Sequence, residues 1–598
     1  MRQYPLEPEE VNHYEEERRQ SRPVGFAATA AYAVAGAIVW FLQLRRHRRD
    51  LSHLLESSLL ILLAIAMISL AAVTDMYLHR GVESGAVMPY VVQPSGRELS
   101  TNVDMRGLTE DQINSVAGTL ESSGYGFVRH EVSWAEIEAT KGDFDWSVYD
   151  PIFNTLHEHD IGVIAVIVDS PQWSWAGTMI PSEVQPPADP QTLETFSRSL
   201  TSQYPDSVRF VQVWHKPNLA SRWGGVPATG ESFRPYLSAA FYGARSGNPE
   251  VQIILPEAAM ESDVAEGLGD LDFLQSLYDA GTIDIFDLVA VRLDGGQSSP
   301  DDRSVDPDRI NFSRAILFRE LMVENDDETT PVWATTFGWS ADGDDVTRDQ
   351  QAEYVVRGLQ RAWSEWPWMG LMVQWQFTTL PGDPESSYAT APEGRPTPLF
   401  RRLNDPALIR RSDIANTGFT PMDADSLQYS GTWADQHLEG RTFRTTGQTG
   451  ASVTFEFQGT GLISYIRTGP LSGDLSIELD GEVIDGGADN GNWSYFDQFQ
   501  TNDLPRRVFS NLEDDIHLVT ITLAEPGQLT LGGMVVERQP PFIWPIIMVT
   551  ASGFLVLLLG LRSFIYLVAI RAGHLTRWEN VSSPELPRMP DWIPERQR

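Results

Sequence analysis

The chain has 598 residues, 42% of them hydrophobic and 10% aromatic, which calls for several globular units in one polypeptide. Its formal net charge of −38 excludes the basic surface that nucleic acid requires and disfavours docking on anionic lipid head groups. With no Cys there are no disulfides, no thiol catalysis and no Cys-ligated zinc, and neither a metal nor another cofactor is expected.

Residues 1–22 are a charged, acidic tail. Three apolar runs then stand out along the chain: GFAATAAYAVAGAIVWFLQL at 25–44, SSLLILLAIAMISLAAVT within 57–76, and FIWPIIMVTASGFLVLLLGL at 542–561. Each has the length a helix needs to cross a bilayer, so three transmembrane helices are expected. Arg45, Arg46, Arg48 and Arg49 lie in the short loop 45–56, which the positive-inside rule assigns to the cytoplasm. The tail and residues 77–538 then lie outside the cytoplasm, with 77–101 as a linker. Arg562, Arg571 and Arg577 fall in the tail 562–598 and agree with a cytoplasmic C-terminus.

From 102 to 405 short apolar runs alternate with helical patterns. A short run near 99–105 is followed by GFVRHEVSW, DIGVIAVIV, VRFVQVW, VQIILP, FDLVAVRL, PVWATTF and GLMVQWQF. Eight strands alternating with helices predict a parallel, closed (β/α)8 TIM barrel. In such a barrel the functional side chains sit at the C-terminal strand ends. Those ends carry Arg129, Trp173, Trp214, His215, Lys216, Asn218, Glu257, Arg292, Asp294, Thr336, Trp339 and Trp375.

The stretch GFVRHEVSWAEIEATKGDFDWSVYDPIFNTLHEHDIGVIAVIVDSPQWS resembles the opening half of clan-A glycoside hydrolases. VWHKPN is similar to their strand-four W-N-E-P-N motif, and PVWATTFGWS to their strand-seven T-E-F-G-W motif. The resemblance implies a sugar cleft worked by two glutamates. One protonates the leaving oxygen, the other attacks the anomeric carbon, and the two carboxyl groups sit about 5–5.5 Å apart in retaining enzymes. At those two positions this chain has Lys216 and Thr336, and His215 replaces the preceding Asn. Lys holds its proton too tightly for an efficient acid, and Thr lacks the carboxylate charge. Arg292 and Asp294 also stand where related strand-six motifs carry His and Tyr. The resemblance makes Arg129, Trp173, Trp214, His215, Asn218, Glu257, Arg292, Asp294, Trp339 and Trp375 candidate substrate-binding residues, with Trp339 and Trp375 foremost for stacking on a sugar.

From 406 to 538 the pattern changes to short alternating runs separated by Gly, Asn and Asp turns, which predicts an antiparallel β-sandwich. YSGTW, GASVTFEFQGTG, an LDG turn and HLVTITL resemble a galactose-binding-like jelly roll of the carbohydrate-binding type. That resemblance leaves a glycan module and a structural spacer both open.

Three functional readings follow. The first is a catalytically inactive, membrane-anchored protein that binds glycans or serves as an envelope scaffold. The second is an active O-glycosyl hydrolase with relocated carboxylates drawn from Glu131, Asp169, Glu257 and Asp294. The third is a purely structural partner in an envelope complex. A Schiff-base role for Lys216 finds no other support in the sequence. The expected partners are the lipid bilayer and a glycan or polysaccharide, with no nucleic acid; the sequence names no protein partner.

Overall fold

The computed structural model describes residues 48–83, 98–175, 184–260, 267–342, 346–405, 414–538 (save 416, 439, 440, 489 and 504) and 544–571. The chain divides into two compact units, one holding the apolar helices and the other running His79–Pro541.

In the first unit, helix Arg48–His79 contains a stretch long and apolar enough to cross a membrane, Leu55–His79. Helix Trp544–Arg571 contains another, Ile546–Val568. Two such helices are therefore found among the described residues, where three were expected. The remaining run, 25–44, lies outside them. The last helix continues past the apolar run, so Arg562 lies within it, 3.8 Å from Glu56. Pairing opposite charges lowers the cost of carrying them on apolar helices.

The second unit opens with the barrel. Its strands are β1 (Leu99–Asn102), β2 (Tyr125–Ser133), β3 (Gly162–Val168), β4 (Val208–Val213), β5 (Gln252–Ile254), β6 (Val289–Asp294), β7 (Val332–Gly338) and β8 (Met369–Gln374). They form one parallel sheet in the order β5-β4-β3-β2-β1-β8-β7-β6. A parallel bridge between Ile254 and Leu288 joins its two edges and closes the barrel. All eight expected strands are present. The sequence also marks the helix starts. Thr109 with Gln112, Thr229 with Ser232 and Thr347 with Gln350 form capping boxes that satisfy the first free N–H groups of three helices.

The barrel is filled from below. Phe127, Ile164, Phe210, Ile254, Leu288, Ala290, Trp333, Leu371 and Val373 make a separate buried cluster. Trp333 lies with its ring centre 4.7 Å from that of Phe210, and the apolar plug they form leaves only the C-terminal mouth for polar groups.

The sandwich has two six-stranded sheets. One orders Gln428–Ser430, Ser452–Gly459, Asp515–Leu523, Leu475–Leu479 and Glu482–Ile484, with Ile414–Ala415 beside the second of these. The other orders Ala434–Leu438, Arg441–Thr446, Leu529–Glu537, Gly461–Ile466 and Arg506–Phe509, with Gly418–Thr420 beside the third. Phe455, Phe457, Leu462, Ile477, Val519 and Leu531 fill the space between them.

Part of the expected linker 77–101 is docked. Arg80 makes a paired contact with Glu320 at 2.8 and 2.9 Å, and the buried Arg319 grips Glu83 at 2.8 and 3.1 Å. Barrel and sandwich meet where Gly418, at φ +99°, lies so close to Pro367 that a β-carbon would come within 2.6 Å of its ring. Near this junction Glu98 is pushed up to about 7 by burial and by Asp425, against the pull of Arg209. A carboxyl raised in the folded state contributes stability below its ordinary range, and that contribution is lost as the pH rises through the folded value. Glu98→Gln is therefore expected to flatten the fall in stability between about pH 4.5 and 7. The variant should exceed the wild type above that range, as read by thermal unfolding across a pH series.

Candidate active site

The polar groups of the barrel stand in two tiers above the plug. The lower tier is a buried lattice. Arg129 donates from Nε to Gln212 Oε1 at 2.8 Å and from Nη1 to Asn102 Oδ1 at 2.6 Å. Asn102 Nδ2 in turn donates to the carbonyls of Thr335 and Gln374, tying β1 to β7 and β8. Arg129 is therefore a bracing group inside the barrel rather than an open binding residue.

The upper tier centres on His215. Its Nδ1 lies 3.1 Å from Glu131 Oε1, and its Nε2 lies 3.7 Å from Glu257 Oε1. Glu257 is 1% exposed and accepts hydrogen bonds from Thr335 Oγ1 at 2.9 Å and Thr336 Oγ1 at 2.5 Å. Both threonines reach it because β7 is bulged: Val291 pairs with Ala334, but Arg292 pairs with Thr336, so Thr335 is an extra residue. On the other side, Trp214 and Lys216 have φ of +70° and +52°, a region non-glycine residues rarely enter. This turn brings His215 into a bridge with Glu257, and Lys216 N–H donates to the Glu257 carbonyl at 2.9 Å.

The electrostatics follow from these contacts. The His215 hydrogen bond, against burial, holds Glu131 down to about 2, with Arg129 and Arg106 assisting. Burial alone would raise Glu257, but His215, Arg129 and Lys216 overcome it and keep the carboxyl well below the usual range. Asp169 behaves oppositely: burial, then the charge of Glu131, pushes it up.

A glycosidase needs a protonated acid facing an ionised partner across the scissile bond. Here both carboxylates that meet His215 are held ionised, and the imidazole stands between them. Thr336 directs its hydroxyl at Glu257.

A second cluster lies at the ends of β6 and β8. The Tyr388 ring stacks on Trp375 with centres 3.7 Å apart and planes 14° apart. The Arg292 guanidinium lies 4.5 Å from the centre of the same Trp375 ring. Groups at those distances cannot share one face, so both faces of Trp375 are covered. Tyr388 also donates to Asp294 Oδ2 at 2.9 Å.

Several expected site residues take other roles. Trp375, foremost for sugar stacking in the sequence, is 4% exposed and sandwiched. Trp339, its companion, is 0% exposed and packs outside the barrel wall among Phe312, Phe337 and Tyr354, donating to the Ser298 carbonyl. The alternation of the strand directs it there. Trp214 is buried edge-on to Trp223, with its N–H on the Arg222 carbonyl. Asn218 is fully buried and clamps the loops after β4 and β5 through the carbonyls of Ala259 and Leu268 and the N–H of Ala259. Trp173 is half-buried against Trp134, its N–H on the Glu138 carbonyl. His215, Glu257 and Thr336 are brought together; Arg292, Asp294 and Trp375 form the separate cluster.

Sequence reasoning missed Asn102, Gln212, Thr335 and Tyr388. Gln212 had a signal, since a lone amide in phase with Phe210 on a buried strand must find partners. Among the described residues no group of three His, Cys, Asp or Glu side chains could hold a metal ion.

Fold and motif order together define a (β/α)8 barrel of glycoside-hydrolase-like architecture. No protein-family model matches the sequence, and no curated protein matches it. Among solved structures, the chain is similar to a family 39 glycoside hydrolase from the gut symbiont Bacteroides cellulosilyticus WH2, at 15% identity and a TM-score of 0.44, over 73% of this chain and 83% of that one. It is similar to GH5_18 from Streptomyces cattleya, solved in complex with GlcNAc, at 15% identity and a TM-score of 0.41, over 54% of this chain and 80% of that one. A glucosidase from Croceicoccus marinus gives 10% identity and a TM-score of 0.41, over 74% of this chain and 98% of that one. The barrel assignment rests on the strand order and not on these likenesses, and no activity passes from them to this chain.

Proposed function

We propose that the chain is a membrane-anchored, extracytoplasmic protein that binds glycans or holds an envelope assembly, and whose barrel does not hydrolyse glycosides. The observation that carries this reading is the pair Lys216 and Thr336 at the two positions where the motifs call for glutamates. The hydroxyl of Thr336 is engaged by Glu257, and the carboxylates nearest to it surround His215. Both flank an imidazole and both are held ionised, so neither of this pair is poised as the acid. The two apolar helices and the Arg-rich segment at 45–49 support the anchoring and the orientation. The test is turnover of aryl and oligosaccharide glycosides by the purified full chain, alongside glycan binding. Binding without turnover is expected. Silence toward glycans, with co-purification of a membrane partner, would favour the scaffold role alone.

One observation favours a second reading, an active hydrolase with relocated carboxylates. Asp169 is pushed up while Glu131 is pulled down, the divergence that separates an acid from an ionised partner. Glycoside turnover that disappears in Asp169→Asn would establish this reading and overturn the first.

A further inference from the structure

Outside the barrel, one loop presents large apolar rings to solvent. Phe496 is 57% exposed and Phe499 is 87% exposed, on the sandwich segment FDQFQTND at 496–503. Leu471, 66% exposed, lies on the adjacent loop, which a bridge between Gly469 and Phe496 holds alongside. We propose that this loop is a binding site for an uncharged glycan chain, with the faces of Phe496 and Phe499 as its platforms. The inference rests on the glycan-binding reading above and assigns that binding to the sandwich rather than to the barrel mouth.

Three observations carry it. First, the loop is pinned rather than loose. Trp493 and Leu475 exchange two backbone hydrogen bonds at 2.7 and 2.9 Å, and Thr468 and Asn502 exchange two more at 2.9 and 3.1 Å. Tyr495, buried at 1% exposure, anchors the loop, and Asp497 Oδ1 caps the N–H groups of Phe499 and Gln500 at 2.8 and 3.0 Å. A rigid platform loses little conformational freedom when a ligand settles on it.

Second, the rings alternate with exposed hydrogen-bonding side chains, Gln498, Gln500 and Thr501. A pyranose has the matching character. Its C–H face packs on the electron-rich face of an aromatic ring, and its rim of hydroxyls meets amides and hydroxyls. A tip built to enter a bilayer would be apolar without interruption, and the net charge of −38 opposes an anionic membrane.

Third, most of the local basic groups already hold carboxylates. Arg467 holds Asp503 at 2.7 and 2.8 Å. Arg506 lies over the rings of Trp493 and Tyr495 and donates to the Ser494 carbonyl, while Arg507 holds Glu537. Two of these three arginines thus hold carboxylates, and the net charge of −38 further disfavours a sulfated or uronate chain. In the barrel, by contrast, both faces of Trp375 are covered and Trp339 is buried.

The test uses the full-length chain in detergent on an array of neutral gluco-, manno- and galacto-oligosaccharides, with uronate oligosaccharides and phosphatidylcholine vesicles as further arms. Wild type is expected to bind a neutral oligosaccharide. Phe496→Ser with Phe499→Ser is expected to weaken that binding about tenfold or more, the loss typical of a central aromatic anchor. Both side chains project into solvent, so the unfolding temperature should not move. Tyr242→Ser, which removes an exposed ring from the barrel exterior, should leave binding intact. Neutral-glycan binding that survives loss of both rings overturns this site while sparing the glycan reading. Failure of wild type to bind any glycan overturns both. Binding confined to uronates, or vesicle binding abolished by the Phe pair, overturns the ligand class proposed.

Discussion

Glu257→Ala is expected to lower the stability of the barrel by about 3–5 kcal/mol, the range for removing one partner of a buried charged cluster. The carboxylate is 1% exposed, so solvent does not screen its contacts. Its loss leaves the hydroxyls of Thr335 and Thr336 without their acceptor. It also removes the anion that faces His215 and offsets Arg129 and Lys216. Glu257→Gln keeps an acceptor for the threonines and loses only the charge, so a smaller drop is expected. Thermal and denaturant unfolding of the full chain in detergent measure both. A wild-type midpoint for Glu257→Ala would mean that the cluster is not a structural element.

Thr336→Glu, which restores a glutamate at the position the motif expects, should impair the fold rather than recover chemistry. The Thr336 hydroxyl is 2.5 Å from Glu257 Oε2, so the new carboxylate would enter a buried site already holding one. Two carboxylates in such contact cannot both ionise, and one is expected to take up a proton, its pKa raised by the repulsion and by burial. The variant should unfold at lower temperature at neutral pH and recover part of the loss as the pH falls. Combining Thr336→Glu with Glu257→Gln should relieve the repulsion, an interaction the double-mutant cycle reads directly. Additive losses would show that the two positions do not face each other. For the same reason, Lys216→Glu with Thr336→Glu is expected to yield no hydrolase unless Glu257 is neutralised as well.

Both predictions turn on a residue pair that strand periodicity alone misplaces. In an unbroken strand Thr335 and Thr336 point to opposite faces. The extra residue at Thr335 turns both toward the axis, and only pairing with β6 reveals it. Trp339 illustrates the reverse. Its motif match pointed to a sugar cleft, but beyond the bulge the alternation sends its ring outward into the packing beside Phe312. Trp375 points to the mouth, and what closes it is Tyr388, from the loop 376–397, together with Arg292 from β6.

What the sequence determined by itself is the architecture. Val- and Ile-rich runs alternating with capped helices dictate a parallel barrel, because each run must be buried on both faces and each helix on one. Alternating runs with Gly and Asn turns dictate the sandwich, and two of the uncharged runs of span length mark the two helices, among the described residues, long and apolar enough to cross a membrane. Order along the chain also puts Lys216 just past β4 and Thr336 near the end of β7, the positions where the motif resemblance expects glutamates. Tertiary structure alone decided what surrounds them. Whether His215 meets one carboxylate or two, whether a hydroxyl is engaged, and whether an aromatic face is open all depend on side chains brought together from distant strands. Such contacts leave no periodicity in the sequence, because register shifts and loop closure set them rather than local pattern.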